Sequence, residues 1–591
     1  MNRKDKKKGA GSSHLASSGS AQPTRKASAS SFSPSLTSAA TSISTSASAV
    51  PTLATKLARA KGGQAATDRS RTGLAQHSSS LLPAASSSAT PTSPRASADG
   101  DDDVGHLEAL YGFMQPRRGV TLLATLCFLV LVRYLVSLHP HSGEGKPPMY
   151  GDYEAQRHWM EVTINLPVTD WYRNTTHNDL LYWGLDYPPL TAYHSWLMGH
   201  IGKWLEPESM ALFTSRGYES VTSKLFMRGT VIAADLAVFL PAVYAFVNTY
   251  YASLSWSKRP ALLLIDHGHF QYNGTSLGLV LWAVVFILRG RDILGTVFFC
   301  LALNYKQMSL YYAPAFFSYL LAKCYRTKSP LAEVSKLAIA VVGTFALCWA
   351  PFLLNATDAY HVLERLFPVG RGLYEDKVAN FWCTVSPVFK LRQLFATADV
   401  LKICGLHLMR GPTPRNFLLS LFITSLSFFL FSYHVHEKSI LIPLLPLTCL
   451  LLESPHLVSW FNIIAAFSMY PLLAKDGLVV AYVAVLYFAW LPLAIQLPPR
   501  PTSLASSLFT ASMAGLATIH VVRAIVAAPE RYPDAFDLLI AAFGCAHFLA
   551  ALGLAYRAQC FAEPVLAATA GSTTVSAGHK SRTSDDAKKR K

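Results

Sequence analysis

Charge is scarce in this chain of 591 residues: Asp, Glu, Lys and Arg make up 15% of it, where soluble domains average about 25%. Hydrophobic residues make up 51% and recur in runs of span length, which excludes a string of soluble domains and leaves a polytopic membrane protein. Cysteine is sparse too. The nine present (Cys127, Cys300, Cys324, Cys348, Cys383, Cys404, Cys449, Cys545 and Cys560) mostly lie in or beside apolar runs, with no C-x-x-C or other metal spacing. They read as small buried hydrophobes, and neither a disulfide framework nor a zinc site follows. A Gly-rich phosphate loop is missing, which argues against a nucleotide-sugar pocket. Near the N-terminus there is no short apolar region with a cleavage site, and Asp99, Asp101, Asp102, Asp103 and Glu108 weaken a transit-peptide reading.

The net charge of +17 does not point to nucleic acid, because it sits in the tails. Residues 1–118 carry 15 Lys/Arg against 7 Asp/Glu, and residues 557–591 carry 7 against 3, so the tails hold +12 of the +17. Basic flanks beside spans mark cytoplasmic ends. Residues 1–118 are rich in Ser, Thr, Ala and Pro without periodicity and read as a disordered cytosolic tail. Residues 557–591 form a second basic cytosolic tail, whose last four residues, Lys588 to Lys591, resemble a dilysine retrieval signal.

Between the tails, 119–556 reads as an all-α membrane domain of about 14 transmembrane helices. The expected spans are 119–138, 228–250, 260–272, 275–289, 292–304, 308–323, 336–354, 384–405, 415–433, 439–453, 457–474, 477–497, 503–527 and 534–556. Tyr187–Leu205, with two prolines, two histidines and a lysine, reads as an interfacial helix rather than a span. That choice leaves long lumenal loops at 139–227 and 355–382 and returns the basic clusters near 258, 289 and 323 to the cytosol. Three sequons, Asn174, Asn273 and Asn355, fall on or near the lumenal side, and Asn174 lies farthest from a span. Asp235, seven residues after Arg228 on one helix face, reads as half of a packing ion pair.

The stretch 146–190 is unlike its surroundings, packing carboxylates, Arg, His, Trp and Tyr directly after the first span. Such polar density at the hydrocarbon edge is a functional candidate. Glu154, Arg157, His158 and Glu161 fall at i, i+3, i+4 and i+7, one face of a helix. Asp152 beside Gly151 is placed either to cap that helix or to act as a general base. Asp186, before two prolines, reads equally as a turn residue or a sugar ligand. Trp159, Trp171, Tyr172, Tyr182 and Trp183 suit sugar stacking or interfacial anchoring. Further along stand Asp266, His267, His269, Gln271 and Asn273; Lys306 and Gln307; Arg371, Glu375, Asp376 and Lys377; and His434, His436, Glu437 and Lys438. The charge-based topology sets Lys306, Arg371, Lys377, His436 and Lys438 on the same side as the first loop. Cations there could stabilise an anionic leaving group, or simply pair with Glu375, Asp376 and Glu437.

GDYEAQRHWMEVT followed by DLLYWGLDYPPLTAYHS, with NYKQMSLYYAP, FPVGRGLYEDKVANFWC and YHVHEKSIL, resembles the dolichyl-phosphate-glucose-dependent α-1,3-glucosyltransferases of the endoplasmic reticulum over about 120–556. Within that family the first-loop signature is most similar to the enzymes that add the first glucose to Man9GlcNAc2-PP-dolichol. The resemblance implies a GT-C-type fold, a multi-pass protein with a lumenal active site and both termini cytosolic, and inverting transfer with Asp152 as base. Glu154, Arg157, His158, Asp186, His267 and His269 are then candidates for binding the acceptor or its sugars, and the five cations for the donor phosphate. His267 and His269 have metal-ligand spacing, but the resemblance implies no metal, so they read as a hydrogen-bonded network; no cofactor and a monomer are expected. The sister enzyme that adds the second glucose and a polytopic transporter are the competing readings. The second is disfavoured because polar motifs crowd the first ten spans while 440–556 is nearly featureless.

Overall fold

Surrounded by lipid, a backbone must satisfy its own hydrogen bonds, and in the computed structural model the apolar runs are helices. The structure describes residues 118–252 except 142, 272–367, 378–381, 384, 408–409, 411–496 except 433–434, and 504–561. All belong to one unit, Ala96–Lys591, and no strand occurs among them. The expected spans at 260–272 and 384–405 lie outside or almost outside the described residues.

Helix α1 is Arg118–Ser137, and the first loop carries α2 (Gly151–Asn165) and α3 (Pro189–Leu205). Then follow α4 (Val221–Ala234), α5 (Leu240–Tyr250), α6 (Asn273–Leu288), α7 (Asp292–Tyr305), α8 (Ala313–Tyr325) and α9 (Pro330–Trp349). Within the expected loop 355–382 the chain forms α10 (Ala356–Leu366), which its composition had not suggested. The C-terminal half contains α11 (Pro414–Phe431), α12 (Leu441–Thr448), α13 (Pro455–Ser468), α14 (Tyr470–Lys475), α15 (Val479–Gln496), α16 (Leu504–Ile525) and α17 (Ala535–Phe561). The expected span 439–453 is a helix for only eight of its residues, with Pro446 inside it, and continues in turns.

Among the described residues, five helical stretches are long and apolar enough to cross a bilayer: Val221–Tyr250, Pro330–Phe352, Pro414–Phe431, Ser507–Ile525 and Ala535–Cys560. Pro414–Phe431 is buried on nearly all sides. Along α9 and α16, by contrast, Leu331, Ile339, Val342, Leu347, Leu508, Val521 and Ile525 stand exposed. Continuous apolar faces of this kind call for an apolar solvent.

α4 runs into α5 through a single π-helical turn, Asp235–Phe239. Asp235 is buried there and faces Arg133 of α1, Oδ2 to Nε 3.5 Å, with both side chains almost fully enclosed. The intramembrane ion pair expected of Asp235 is therefore made with α1, while Arg228 donates to the His139 carbonyl.

The first loop folds on itself. Trp159, Trp171, Tyr172 and Leu185 pack with Phe352 and with Val362 and Leu366 of α10. Arg173 bridges to Asp358 at the start of α10. At the loop's outer end, Lys224 lies between Glu144 and Glu219, 2.5 and 3.0 Å away, with His141 beside both carboxylates.

Candidate active site

Two consecutive residues in the left-handed region, Tyr150 (φ 56°) and Gly151 (φ 73°), turn the chain into α2. Gly217 closes against the Tyr150 ring, where a Cβ would come within 2.4 Å of ring carbon, so the position admits no side chain. The turn puts Asp152 in the first turn of α2 rather than ahead of it, and Tyr150, not Asp152, occupies the N-cap. The Asp152 carboxylate is about a quarter exposed, and its Oδ2 accepts from Lys438 Nζ at 2.6 Å.

Lys438 lies in the 3-10 turn Glu437–Ile440 before α12, and the His436 side chain caps that turn by accepting from the Lys438 backbone N–H. Lys306, between α7 and the 3-10 turn Gln307–Tyr312, donates to Asn273 Oδ1 at 2.6 Å and sits 4.9 Å from the centre of the Tyr187 ring. Burial lowers the Lys306 ammonium to a pKa of about 8, and the negative charges of Asp186 and Asp152 work against that fall. The Tyr187 hydroxyl senses Asp186, Asp152 and Lys438 together. Thus five groups spaced along nearly 290 residues (Asp152, Asp186, Tyr187, Lys306 and Lys438) share one electrostatic neighbourhood.

The backbone that carries Asp186 is held from two sides. Arg365 of α10 donates to the carbonyls of Gly184 and Leu185, at 2.8 and 3.1 Å, and Gln307 Nε2 donates to the carbonyl of Asp186 at 3.0 Å. Arg365 had no signal in the sequence beyond a basic residue late in an amphipathic helix.

Glu154, Arg157, His158 and Glu161 do share a helix face, as the spacing predicts, but that face is turned into the protein. Arg157 is fully buried, and all five of its N–H donors are taken: by Glu154 at 2.7 and 2.6 Å, by Glu161 at 2.8 Å, by the Ser209 carbonyl at 2.9 Å and by the Ser215 hydroxyl. No donor remains for a sugar. Tyr182 donates to Glu154 at 2.7 Å, and His158 meets Glu161 at 3.1 Å. Burial works to raise the Glu161 carboxyl, yet the His158 hydrogen bond and the charge of Arg157 hold it at about 2. The aromatic residues read as sugar platforms or interfacial anchors include Trp159, Trp171, Tyr172 and Tyr182, all of which are buried in the loop's own core. Asn273, read as a sequon, is spent on Lys306, whereas Asn174 and Asn355 are exposed. His267, His269, Arg371 and Lys377 lie outside the described residues, as do Asp266, Glu375, Asp376 and His434.

Chemically, the arrangement sets a part-exposed carboxylate against two ammonium groups brought from distant segments. Such a set can remove a proton on one side and neutralise developing negative charge on the other. Comparison with known proteins points the same way. The model of the ALG6, ALG8 glycosyltransferase family matches residues 126–404 and 394–554. A Dictyostelium discoideum protein named probable dolichyl pyrophosphate Man9GlcNAc2 alpha-1,3-glucosyltransferase is 53% identical over 404 residues, 64% of this chain and 78% of that protein. Proteins so named from Gallus gallus and, as probable, from Arabidopsis thaliana are 44% and 43% identical. The first match covers 72% of this chain and 94% of the relative, the second 71% and 86%.

Proposed function

The chain belongs to the ALG6, ALG8 glycosyltransferase family, and from that premise we propose that it transfers glucose from dolichyl-phosphate glucose to the terminal mannose of Man9GlcNAc2-PP-dolichol in α-1,3 linkage. The observation that carries this reading is the Asp152–Lys438 contact of 2.6 Å, with Lys306 within electrostatic reach of the same acid.

Asp152 takes the proton from the mannose 3-hydroxyl as that oxygen bonds to the glucose anomeric carbon. The bond from that carbon to the phosphate oxygen breaks, and its electron pair leaves with dolichyl phosphate. Single displacement inverts the anomeric centre, so an α-linked product requires a β-linked donor. Lys306 and Lys438 bind the phosphate and balance its growing charge. Lys438 is held by Asp152 in the free protein, so donor binding draws the ammonium from the acid to the phosphate and leaves the carboxylate ready to accept the proton. Arg371, Lys377 and His436 join this phosphate set on the strength of the resemblance, and Asp186, His267 and His269 serve the sugars. Glu154, Arg157 and His158 act as the frame that holds α2 rather than as sugar ligands, since Arg157 has no donor to spare.

The protein sits in the endoplasmic reticulum membrane with about 14 spans, its site facing the lumen and both tails the cytosol. The apolar faces of α9 and α16 support the membrane setting. The deciding experiment assays the purified protein with dolichyl-phosphate glucose and lipid-linked acceptors carrying no glucose or one glucose. Transfer to the first acceptor alone supports the reading. Transfer to the second alone makes the chain the sister activity, and transfer to neither overturns it.

A further inference from the structure

Gln307 follows Lys306 directly and opens the 3-10 turn Gln307–Tyr312. Its Nε2 donates to the backbone carbonyl of Asp186 at 3.0 Å. A carbonyl can only accept, so this contact fixes the orientation of the amide, with nitrogen toward Asp186 and Oε1 turned away from it. That Oε1 is buried and has no hydrogen-bond partner among the described residues. An amide oxygen left in this state carries an uncompensated desolvation cost, and such a group in a native structure calls for an explanation. Here the cost is met at the centre of the site, between the segment that presents Asp186 and the lysine that sits over Tyr187.

What complements a fixed, buried acceptor is a donor that arrives with the substrate. The ligands of the proposed reaction offer hydroxyl groups in abundance and no other neutral donors on the sugar being moved. In the proposed reaction the phosphate has its cations in Lys306 and Lys438, and Gln307, next to Lys306 and bonded to the Asp186 carbonyl, is a nearby neutral acceptor available to the sugar attached to that phosphate.

We propose that Gln307 Oε1 accepts a hydrogen bond from one hydroxyl of the transferred glucose, making Gln307 a specificity-determining residue of the donor site. This rests on the donor assigned above. Gln307 couples recognition to Asp186 because one amide serves both. Entry of the sugar parts the packing that buries Oε1, as donor entry also parts Lys438 from Asp152 in the proposed reaction.

The test uses full-length enzyme in detergent with dolichyl-phosphate glucose and its four monodeoxy forms, lacking the hydroxyl at C2, C3, C4 or C6. Wild type is compared with Gln307→Met and with Gln307→Lys, which keeps a donor for the Asp186 carbonyl but has no acceptor. For wild type, one deoxy donor should lose about 10- to 100-fold in kcat/KM, the cost of a buried polar group left unpaired. In both variants that donor should be used no worse than dolichyl-phosphate glucose itself, while the penalties on the other three persist. If the losses from variant and deoxy donor simply multiply at all four positions, or if Gln307→Lys retains full activity, Gln307 is a scaffold residue and the proposal fails. If wild type uses none of the donors, the assigned donor fails first and the role of Gln307 with it.

Discussion

Lys438 reaches back across 286 residues of sequence to place its Nζ 2.6 Å from Oδ2 of Asp152. An ammonium so close to a carboxylate occupies the oxygen that, in the proposed reaction, receives the proton, so the acid and its partner are expected to play separate parts. Asp152→Asn should cut kcat by about 10³-fold or more, in the upper range for loss of a general base, with normal expression because the side chain is only partly buried. Lys438→Met should instead lower kcat/KM for the donor by about 10²-fold, with acceptor KM little changed. Steady-state kinetics on matched amounts of folded protein separate the two, and an active Asp152→Asn enzyme would remove Asp152 from its role.

With Lys306 in its proposed role at the donor phosphate, the donor step should be pH-sensitive. The Lys306 pKa of about 8 in the free protein means that the ammonium is present below that pH and lost above it. Because the neutral amine cannot pair with phosphate, kcat/KM for the donor should fall by up to tenfold per pH unit above about 8. Lys306→Arg should abolish that limb of the profile, since a guanidinium stays charged. A profile that stays flat through pH 9.5 in the wild-type enzyme would contradict the assignment.

Arg157 is a structural residue by its contacts. Arg157→Met would leave Glu154 and Glu161 buried without their cation, and breaking such a pair costs about 3–5 kcal/mol. Thermal unfolding in detergent should show a large loss of stability. The Glu161 carboxyl titrates at about 2 against an ordinary 4.5. Its stabilising contribution is therefore complete above about pH 4.5 and is lost as the pH falls toward 2.

Arg365 acts at one remove, through the carbonyls of Gly184 and Leu185 that precede Asp186. Arg365→Met should raise the acceptor KM and lower kcat/KM by about tenfold, equivalent to about 1.4 kcal/mol, with only a small change in unfolding temperature. Arg365→Lys should recover part of the loss. A fall in kcat with unchanged KM would argue against a positioning role.

The buried pair between Arg133 and Asp235 should behave asymmetrically. Asp235→Leu alone removes the carboxylate that faces the buried guanidinium and should destabilise by about 3–5 kcal/mol, whereas the double change Arg133→Met, Asp235→Leu should restore most of that loss. Fluorescence-detected size exclusion after a heat step measures both.

How much of this was legible in the sequence depended on what each residue's partner was. Lys306 and Lys438 were singled out because charge, hydropathy and motif resemblance placed them with Asp152, and the structure brings both near that acid; the spacing of the motifs along the chain held no measure of that distance. The periodicity of Glu154, Arg157, His158 and Glu161 was also read correctly, but periodicity tells which residues share a face and not what that face meets. A polar face aimed at sugars and one aimed at Ser209 and Ser215 have the same spacing. Arg365 was invisible because its targets are backbone carbonyls, which every residue offers. Asn273 was read as a sequon and as one of the polar residues from Asp266 onward, and neither pattern carries information about Lys306 thirty-three residues later. Helix α10 was read as loop because a single amphipathic helix of eleven residues adds little to a hydropathy trace.

That short helix has a consequence for genetics. Since Asp358 and Arg365 both grip the first loop, the two polar segments are tied together, although nearly two hundred residues separate them in the sequence. Missense alleles in 356–366 should therefore mimic alleles in 173–186, failing at sugar transfer rather than at insertion. Second-site suppressors of a lesion in one segment should be recovered in the other.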